Sequence, residues 1–196
     1  MQTSTTYPIG KFIRPESLSA EERAAGIQTI VAFPDALAAL LKESKPGDFL
    51  KTYRDGGWNV LQIVHHCADS HINAYIRFKL ALTENAPSIL GYNQDAWAAL
   101  ADVAEADIYS SVLILMGLHK RWVTLLLSLN EEQWQRTYFH PENKHNWTLD
   151  QALAQYDWHC RHHLAHVHNV ETQTHQPTPA AAAATGTTSA TLADVQ

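Results

Sequence analysis

The sequence predicts an all-α protein, a four-helix bundle with short extra helical turns. Two observations carry that prediction. Four long stretches repeat their apolar residues at helical spacing, and three of them begin at a residue able to cap a helix. Nowhere does the chain show the strict apolar–polar alternation of a half-buried strand. Long amphipathic helices joined by short connections bury their apolar faces against one another, which makes a bundle.

A chain of 196 residues fits one domain with a substantial core. With 45% hydrophobic and 17% charged residues, it has the composition of an ordinary globular protein. A net charge of −6 argues against a binder of nucleic-acid backbones, which needs clustered Lys and Arg. Cys67 and Cys160 are too few for a disulfide framework, and MQTSTTYPIG lacks the basic-then-apolar order of a signal peptide. No uninterrupted apolar run approaches a membrane span. The expected address is the cytoplasm, with no membrane partner.

Residues 1–16 carry Pro8, Gly10 and Pro15 and should be irregular. The first helix runs from Ser17 to about Glu43, with Ser19 as cap and Glu22 as its capping-box partner. Pro34 lies inside it and predicts a kink or a fresh start. The paired glycines of YRDGGW, Tyr53–Trp58, mark a tight turn, after which Asn59 caps a second helix to about Thr83. A loop with Pro87 and Gly91 follows. The third helix covers about Ile108 to Leu129 and is strongly apolar, with Val112, Leu113, Leu115, Leu118, Trp122, Leu125 and Leu126, and Glu131–Arg136 suits a short turn. Tyr138–Trp147 reads as a loop leading to Thr148, which caps the last helix with Gln151 as partner. The domain should span 1–176, and the Ala/Thr-rich segment 177–196 should be a disordered tail.

The last helix carries the chemistry. It holds five histidines, His159, His162, His163, His166 and His168, several of them paired at i,i+4. That spacing stacks two imidazoles on one face, where they can chelate a divalent metal if a third ligand arrives from elsewhere. On a helical wheel Leu149, Ala152, Leu153, Tyr156, Cys160, Leu164 and Val167 define the buried stripe. His163 lies on that stripe and His159 on its shoulder, whereas His162 points to solvent, His166 sits near the other shoulder and His168 is a surface residue. Metal sites in bundles are built by inward-facing side chains, so His159 and His163 are the favoured pair. The second helix offers His65, His66 and His71 in HHCADSH. Helical phase places His71 nearest the apolar centre, as ligand or as satisfied core histidine, and His66 on a flank with Ile63 and Ala74.

The blocks YPIG, YRDGGW, VHHCADSHINAYIRFKLALTE, LHKRW, YFHP and YDWHCRHHLAH, in this order, resemble the YfiT-type branch of the DinB superfamily. The resemblance spans about Tyr7 to Val170. It implies a four-helix bundle holding one divalent metal per chain, zinc or nickel, on one histidine of the second helix and two of the last. Carried onto matching positions these are His66, His159 and His163. The family includes metal-dependent hydrolases and S-transferases that use low-molecular-weight thiols such as bacillithiol. The favoured expectation is a thiol transferase acting on a small-molecule electrophile. The alternatives are a hydrolase using metal-bound water and a non-catalytic metal-binding or sensor protein. A homodimer is expected.

Three neutral imidazoles leave a divalent cation its full charge and an open position, as in catalytic zinc sites. Water there has its pKa lowered to about 7, and a thiol is deprotonated. Asp69, one turn beyond His66, is a candidate acceptor for the ligand's free N–H. Arg54, Asp55 and Arg77 are candidates for holding an anionic thiol, and His140 of YFHP for an acid or base. Cys67 and Cys160 each follow a proposed ligand and are read as buried small hydrophobes.

Overall fold

The structure is a computed structural model that describes residues 5–142 and 144–174. The segment expected to be a disordered tail, 177–196, lies outside the described residues. Four long helices make the body: α1 (Ala20–Glu43), α2 (Val60–Thr83), then, after the short α3 (Gln94–Trp97) and α4 (Ala101–Glu105), α5 (Ile108–Leu127). The short α6 (Glu131–Trp134) and a hairpin of β1 (Thr137–His140) and β2 (His145–Thr148) lead into α7 (Leu149–Thr174). α1 packs on α7 and α5, and α2 packs on the same two helices, so the four stand in a square with α1 and α2 at opposite corners.

The caps predicted from sequence form. Ser19 Oγ accepts from Glu22 N at 3.2 Å while Glu22 returns to Ser19 N at 2.7 Å. Asn59 with Gln62 and Thr148 with Gln151 make the same reciprocal box, which satisfies N–H groups that a helix start leaves unpaired. Two local expectations are corrected. Pro34 does not give α1 a fresh start, and the helix runs on as one element with Pro34 buried. Tyr138–Trp147 is a hairpin rather than a loop, paired Thr137↔Thr148 through His140↔His145. Lys144 turns it with φ +53°, and Tyr138 and Trp147, facing one another, are buried in the core. A four-residue strand is too short to display a period-two pattern, which is why the sequence hid it.

By length and mean hydropathy α1 and α5 are each long and apolar enough to cross a membrane, although neither is an uninterrupted apolar run. Here both are walls of the bundle. Ile30, Phe33 and Leu37 of α1 and Leu115, Trp122 and Leu126 of α5 are all at most 1% exposed.

One ion pair sets where α7 begins. Arg23 of α1 meets the fully buried Asp150 through two bonds, Nε–Oδ1 at 2.6 Å and Nη2–Oδ2 at 3.1 Å. Gln135 Nε2 adds a third bond to Asp150 at 3.0 Å, and Arg23 Nη1 reaches Glu131 at 2.7 Å. The two carboxylates raise the Arg23 pKa further above its ordinary value, Asp150 contributing most. A turn further along, a Cβ on Gly26 would sit 3.3 Å from Leu153 Cγ, so glycine lets α1 and α7 approach closely. Removing one partner of such a buried pair strands the other. Asp150→Ala is expected to lower stability by about 3–5 kcal/mol, read as a shifted urea midpoint at unchanged slope; a loss under about 1 kcal/mol would contradict the clamp.

Candidate metal centre

The bundle interior between α2 and α7 collects imidazoles. His159 and His163 lie one turn apart on α7 with ring centroids 4.4 Å apart, and His66 of α2 sits 5.3 and 5.1 Å from them. One ring nitrogen from each of His66, His159 and His163 lies within 4.8 Å of the other two. His66 Nε2 and His159 Nε2 are 3.2 Å apart. Two ligands about 2.1 Å from a tetrahedral zinc stand about 3.4 Å apart, so the spacing suits a shared cation. Nδ1 of His163 is buried with no hydrogen-bond partner among the described residues. The donor set therefore fits a divalent metal held by imidazole.

The three rings are neutral. Burial pushes the His66 pKa down to about 4, and takes His159 and His163 well below the ordinary histidine value, helped by the neighbouring imidazoles. Neutral imidazole is the ligating form, so burial prepares the donors without any carboxylate. His71 is fully buried and has both nitrogens engaged: Nδ1 with His119 Nε2 at 2.7 Å and Nε2 with His159 Nδ1 at 3.1 Å. The choice that helical phase left open thus has a geometric discriminator. His66 offers a nitrogen within 4.8 Å of those of both His159 and His163, and His71 is not in that group.

A cleft of about 400 Å³ opens onto these three rings. Its roof comes from the two segments read as irregular. Trp158 Nε1 donates to the Gly10 carbonyl at 3.0 Å, which brings the N-terminal arm over α7. The YRDGGW turn supplies Tyr53, Arg54 and Trp58. Gly56 takes φ +65°, and a Cβ on Gly57 would come within 2.9 Å of the Arg54 side chain, so both glycines are needed for this turn. Tyr53 stacks on His166 at 3.9 Å, Trp158 on His162 at 4.3 Å, and Trp58 lies 4.8 Å from His66.

This roof corrects the helical wheel. His162, expected in solvent, is 7% exposed because Trp158 and Tyr7 cover it, and His166 is buried under Tyr53. His162, His163 and His166 form a second group with ring nitrogens within 4.8 Å, sharing His163 with the first. His168 is exposed as expected. The aromatic residues of YPIG and YRDGGW were the only sign in the sequence that this face would be covered.

The supporting candidates divide. Arg54 lines the cleft, its Nη1 donating to the Asp55 carbonyl at 2.9 Å while its buried Nε has no partner among the described residues. Asp55 is exposed and does not line the cleft. Arg77 donates to the Leu90 carbonyl at 3.3 Å, and neither it nor the half-buried His140 lines the cleft. Asp69 was expected to brace His66, but its carboxylate makes no hydrogen bond among the described residues; burial pushes its pKa up. Cys67 and Cys160 are buried free thiols with raised pKa, as small core residues are.

Fold and site together define a class, a helical bundle with a histidine cluster at a cleft between two of its helices. Residues 29–167 match the DinB superfamily, and the chain belongs to that family. It is 44% identical over 162 residues to "Putative metal-dependent hydrolase YfiT" of Bacillus subtilis (strain 168), covering 83% of this chain and 91% of the relative. A similarly named protein of Bacillus pumilus (strain SAFR-032) is 41% identical over 165 residues, 84% and 94% of the two chains. The solved structure of YfiT from Bacillus subtilis is described as a probable metal-dependent hydrolase with an unusual four-helix bundle topology. It superposes with a TM-score of 0.84 at 42% identity, covering 87% of this chain and 97% of that one.

The depressed histidines set a pH dependence. Each is neutral when folded and free to protonate when unfolded, so the unfolded chain binds the extra proton. Stability of the metal-free protein should be full above about pH 6.5 and fall towards pH 4, the range between the unfolded value and the folded value of about 4 for His66 and His119. Each of these two groups should contribute about 1.4 kcal/mol per pH unit within that window. Urea unfolding between pH 7.5 and 4.5 measures it, and a flat profile would show that the rings are not buried as neutral species.

Proposed function

We propose that this protein is a metal-dependent enzyme that holds zinc or nickel on His66, His159 and His163, one ion per chain. The observation that carries the reading is the convergence of three neutral ring nitrogens at an open cleft, with no carboxylate among them. When bound there, a divalent metal retains its full charge and an open position, able to lower the pKa of water to about 7 or to deprotonate a thiol.

Within that reading we favour an S-transferase that joins a low-molecular-weight thiol, of the bacillithiol kind, to a small-molecule electrophile. Arg54 supports it. A guanidinium in the cleft wall with a buried, unmatched Nε–H suits the carboxylate that such thiols carry. Tyr53, Trp58 and Trp158 supply apolar walls that exclude water from the thiolate and pack the electrophile. The only carboxylate among the described lining residues, Asp95, sits exposed on a short helix, which makes it a weak candidate for a hydrolytic base. The second reading is a hydrolase, and the names of the relatives favour it. The same proposal places the protein in the cytoplasm as a homodimer; exposed apolar side chains on α5, Leu113, Ile114 and Leu127, suit a partner copy.

His159→Ala and His163→Ala should each lose stoichiometric divalent metal while the far-ultraviolet circular dichroism stays helical. His66→Ala should do the same. Full metal content in these folded variants would sink the assignment. Metal-loaded protein incubated with a generic electrophile should turn over only when a thiol is present, and Arg54→Ala should raise the KM for the thiol about tenfold with little change in kcat. Thiol-independent cleavage of an ester or amide would instead establish the hydrolase.

A further inference from the structure

A line of imidazoles runs from the outer wall of α1 to the metal centre and passes through all four long helices. It starts at the Ile30 carbonyl of α1, 2.6 Å from Nδ1 of His119 on α5. His119 Nε2 is 2.7 Å from Nδ1 of His71 on α2, and His71 Nε2 is 3.1 Å from Nδ1 of His159 on α7. The rings are packed by Phe33, Trp122 and Tyr156, and His71 and His119 are at most 2% exposed.

The first acceptor exists because of Pro34. In a regular helix the Ile30 carbonyl accepts the N–H four residues on, and proline has none. His119 takes the vacated place. The direction of every later bond then follows from a single fact, that a carbonyl accepts and cannot donate. Nδ1 of His119 must carry the proton. Burial keeps His119 neutral, its pKa pushed down to about 4, so its Nε2 is bare and accepts. His71 Nδ1 must therefore donate, and its own Nε2 accepts in turn. His159 Nδ1 donates last, which leaves His159 Nε2 bare and 3.2 Å from His66 Nε2. The opposite sense has no solution, because it would require the carbonyl to donate.

We propose that the Ile30 carbonyl, His119 and His71 form a tautomer-setting chain that holds His159 in its Nδ1–H form, with Nε2 presented to the metal centre. His119 and His71 are then positioning residues of that centre, which touch no ligand of the metal except through His159. The more usual partner of a ligating imidazole is a carboxylate or a backbone carbonyl placed directly on its second nitrogen. Here the carbonyl acts from two rings away. It orients His159 and strengthens it as a donor without adding negative charge beside the cation, so the centre keeps its full Lewis acidity. The proposal rests on the reading of His66, His159 and His163 as the metal ligands.

The test begins with the metal-free wild-type protein labelled with ¹⁵N, whose long-range ¹H–¹⁵N imidazole correlations distinguish the two neutral tautomers. His119, His71 and His159 should all appear as Nδ1–H. An Nε2–H tautomer at His159 overturns the proposal outright, whatever the metal does. Zinc affinity is then measured by chelator competition in His119→Phe, which keeps the aromatic packing but removes the acceptor, and in His119→Gln, whose amide can accept from His71. His119→Phe should bind zinc about 10–100-fold more weakly and show mixed tautomers at His159, whereas His119→Gln should stay within a few-fold of wild type. Equal losses in both variants would mean that His119 only fills space, and no loss in a folded His119→Phe would mean that the chain sets nothing; either overturns the proposal. Should the phenylalanine variant fail to fold, the wild-type spectrum and His119→Gln still decide. His163→Ala separates this proposal from the site reading, because it should lose zinc while the three Nδ1–H tautomers persist.

Discussion

A buried neutral imidazole must place one donor and one acceptor, and much of this structure answers that demand. The interior of an ordinary helical bundle is apolar, and each polar atom in it needs a partner. Here the interior holds His65, His66, His71, His119, His159, His162, His163 and His166, all buried. On the α1–α5 side His71 and His119 are satisfied by one another, by His159 and by the Ile30 carbonyl, and His65 places its Nδ1 on Ser111 Oγ at 2.7 Å. Beside the cleft, Nδ1 of His162 and Nδ1 of His163 lack partners among the described residues. The polar core thus runs from the bonded pair His71 and His119 on one side to unmatched ring nitrogens at the cleft on the other.

The rest of the fold serves to hold that gradient. The Arg23–Asp150 pair fixes the start of α7 against α1, and from there the helical repeat delivers His159 and His163 to the α2 face. The capping boxes at Ser19, Asn59 and Thr148 set the starting residue of three long helices, and a start displaced by one residue would turn each imidazole by about 100° around its helix. The N-terminal arm and the YRDGGW turn lie over the C-terminal half of α7, converting a solvent-facing histidine stripe into the wall of a cleft. Aromatic stacking, Tyr53 on His166 and Trp158 on His162, is what those irregular segments contribute.

The electrostatics favour a strong Lewis acid. Burial keeps the three proposed ligands neutral when metal-free, and the cation's charge would be offset by no carboxylate ligand. Arg54, the one guanidinium among the described lining residues, would draw an anion towards it under the proposed function. A fully charged metal beside a guanidinium matches a substrate with a carboxylate at one end and a soft nucleophile at the other. The same field would assist attack by water on an anionic ester, so the chemistry of the nucleophile rather than the geometry of the wall divides the two readings.

The sequence by itself determined the bundle, the caps, the placing of the long helices and the i,i+4 pair His159/His163. Each of these is a local property, written in spacing along one helix. Resemblance to a known family was needed to propose His66 over His71, because phase within α2 favoured His71. The tertiary structure alone decided what those two rings do: His66 sits where α2 meets α7 at the cleft, and His71 sits where α2 meets α5. It alone put His162 and His166 under a roof, since Tyr7 and Tyr53, which help to bury them, lie more than a hundred positions away. It also gave Pro34 its meaning. A proline in a helix reads from sequence as a break, yet the helix continues and the carbonyl it frees anchors a line of histidines on three other helices. Periodicity along one helix cannot register a bond made across four.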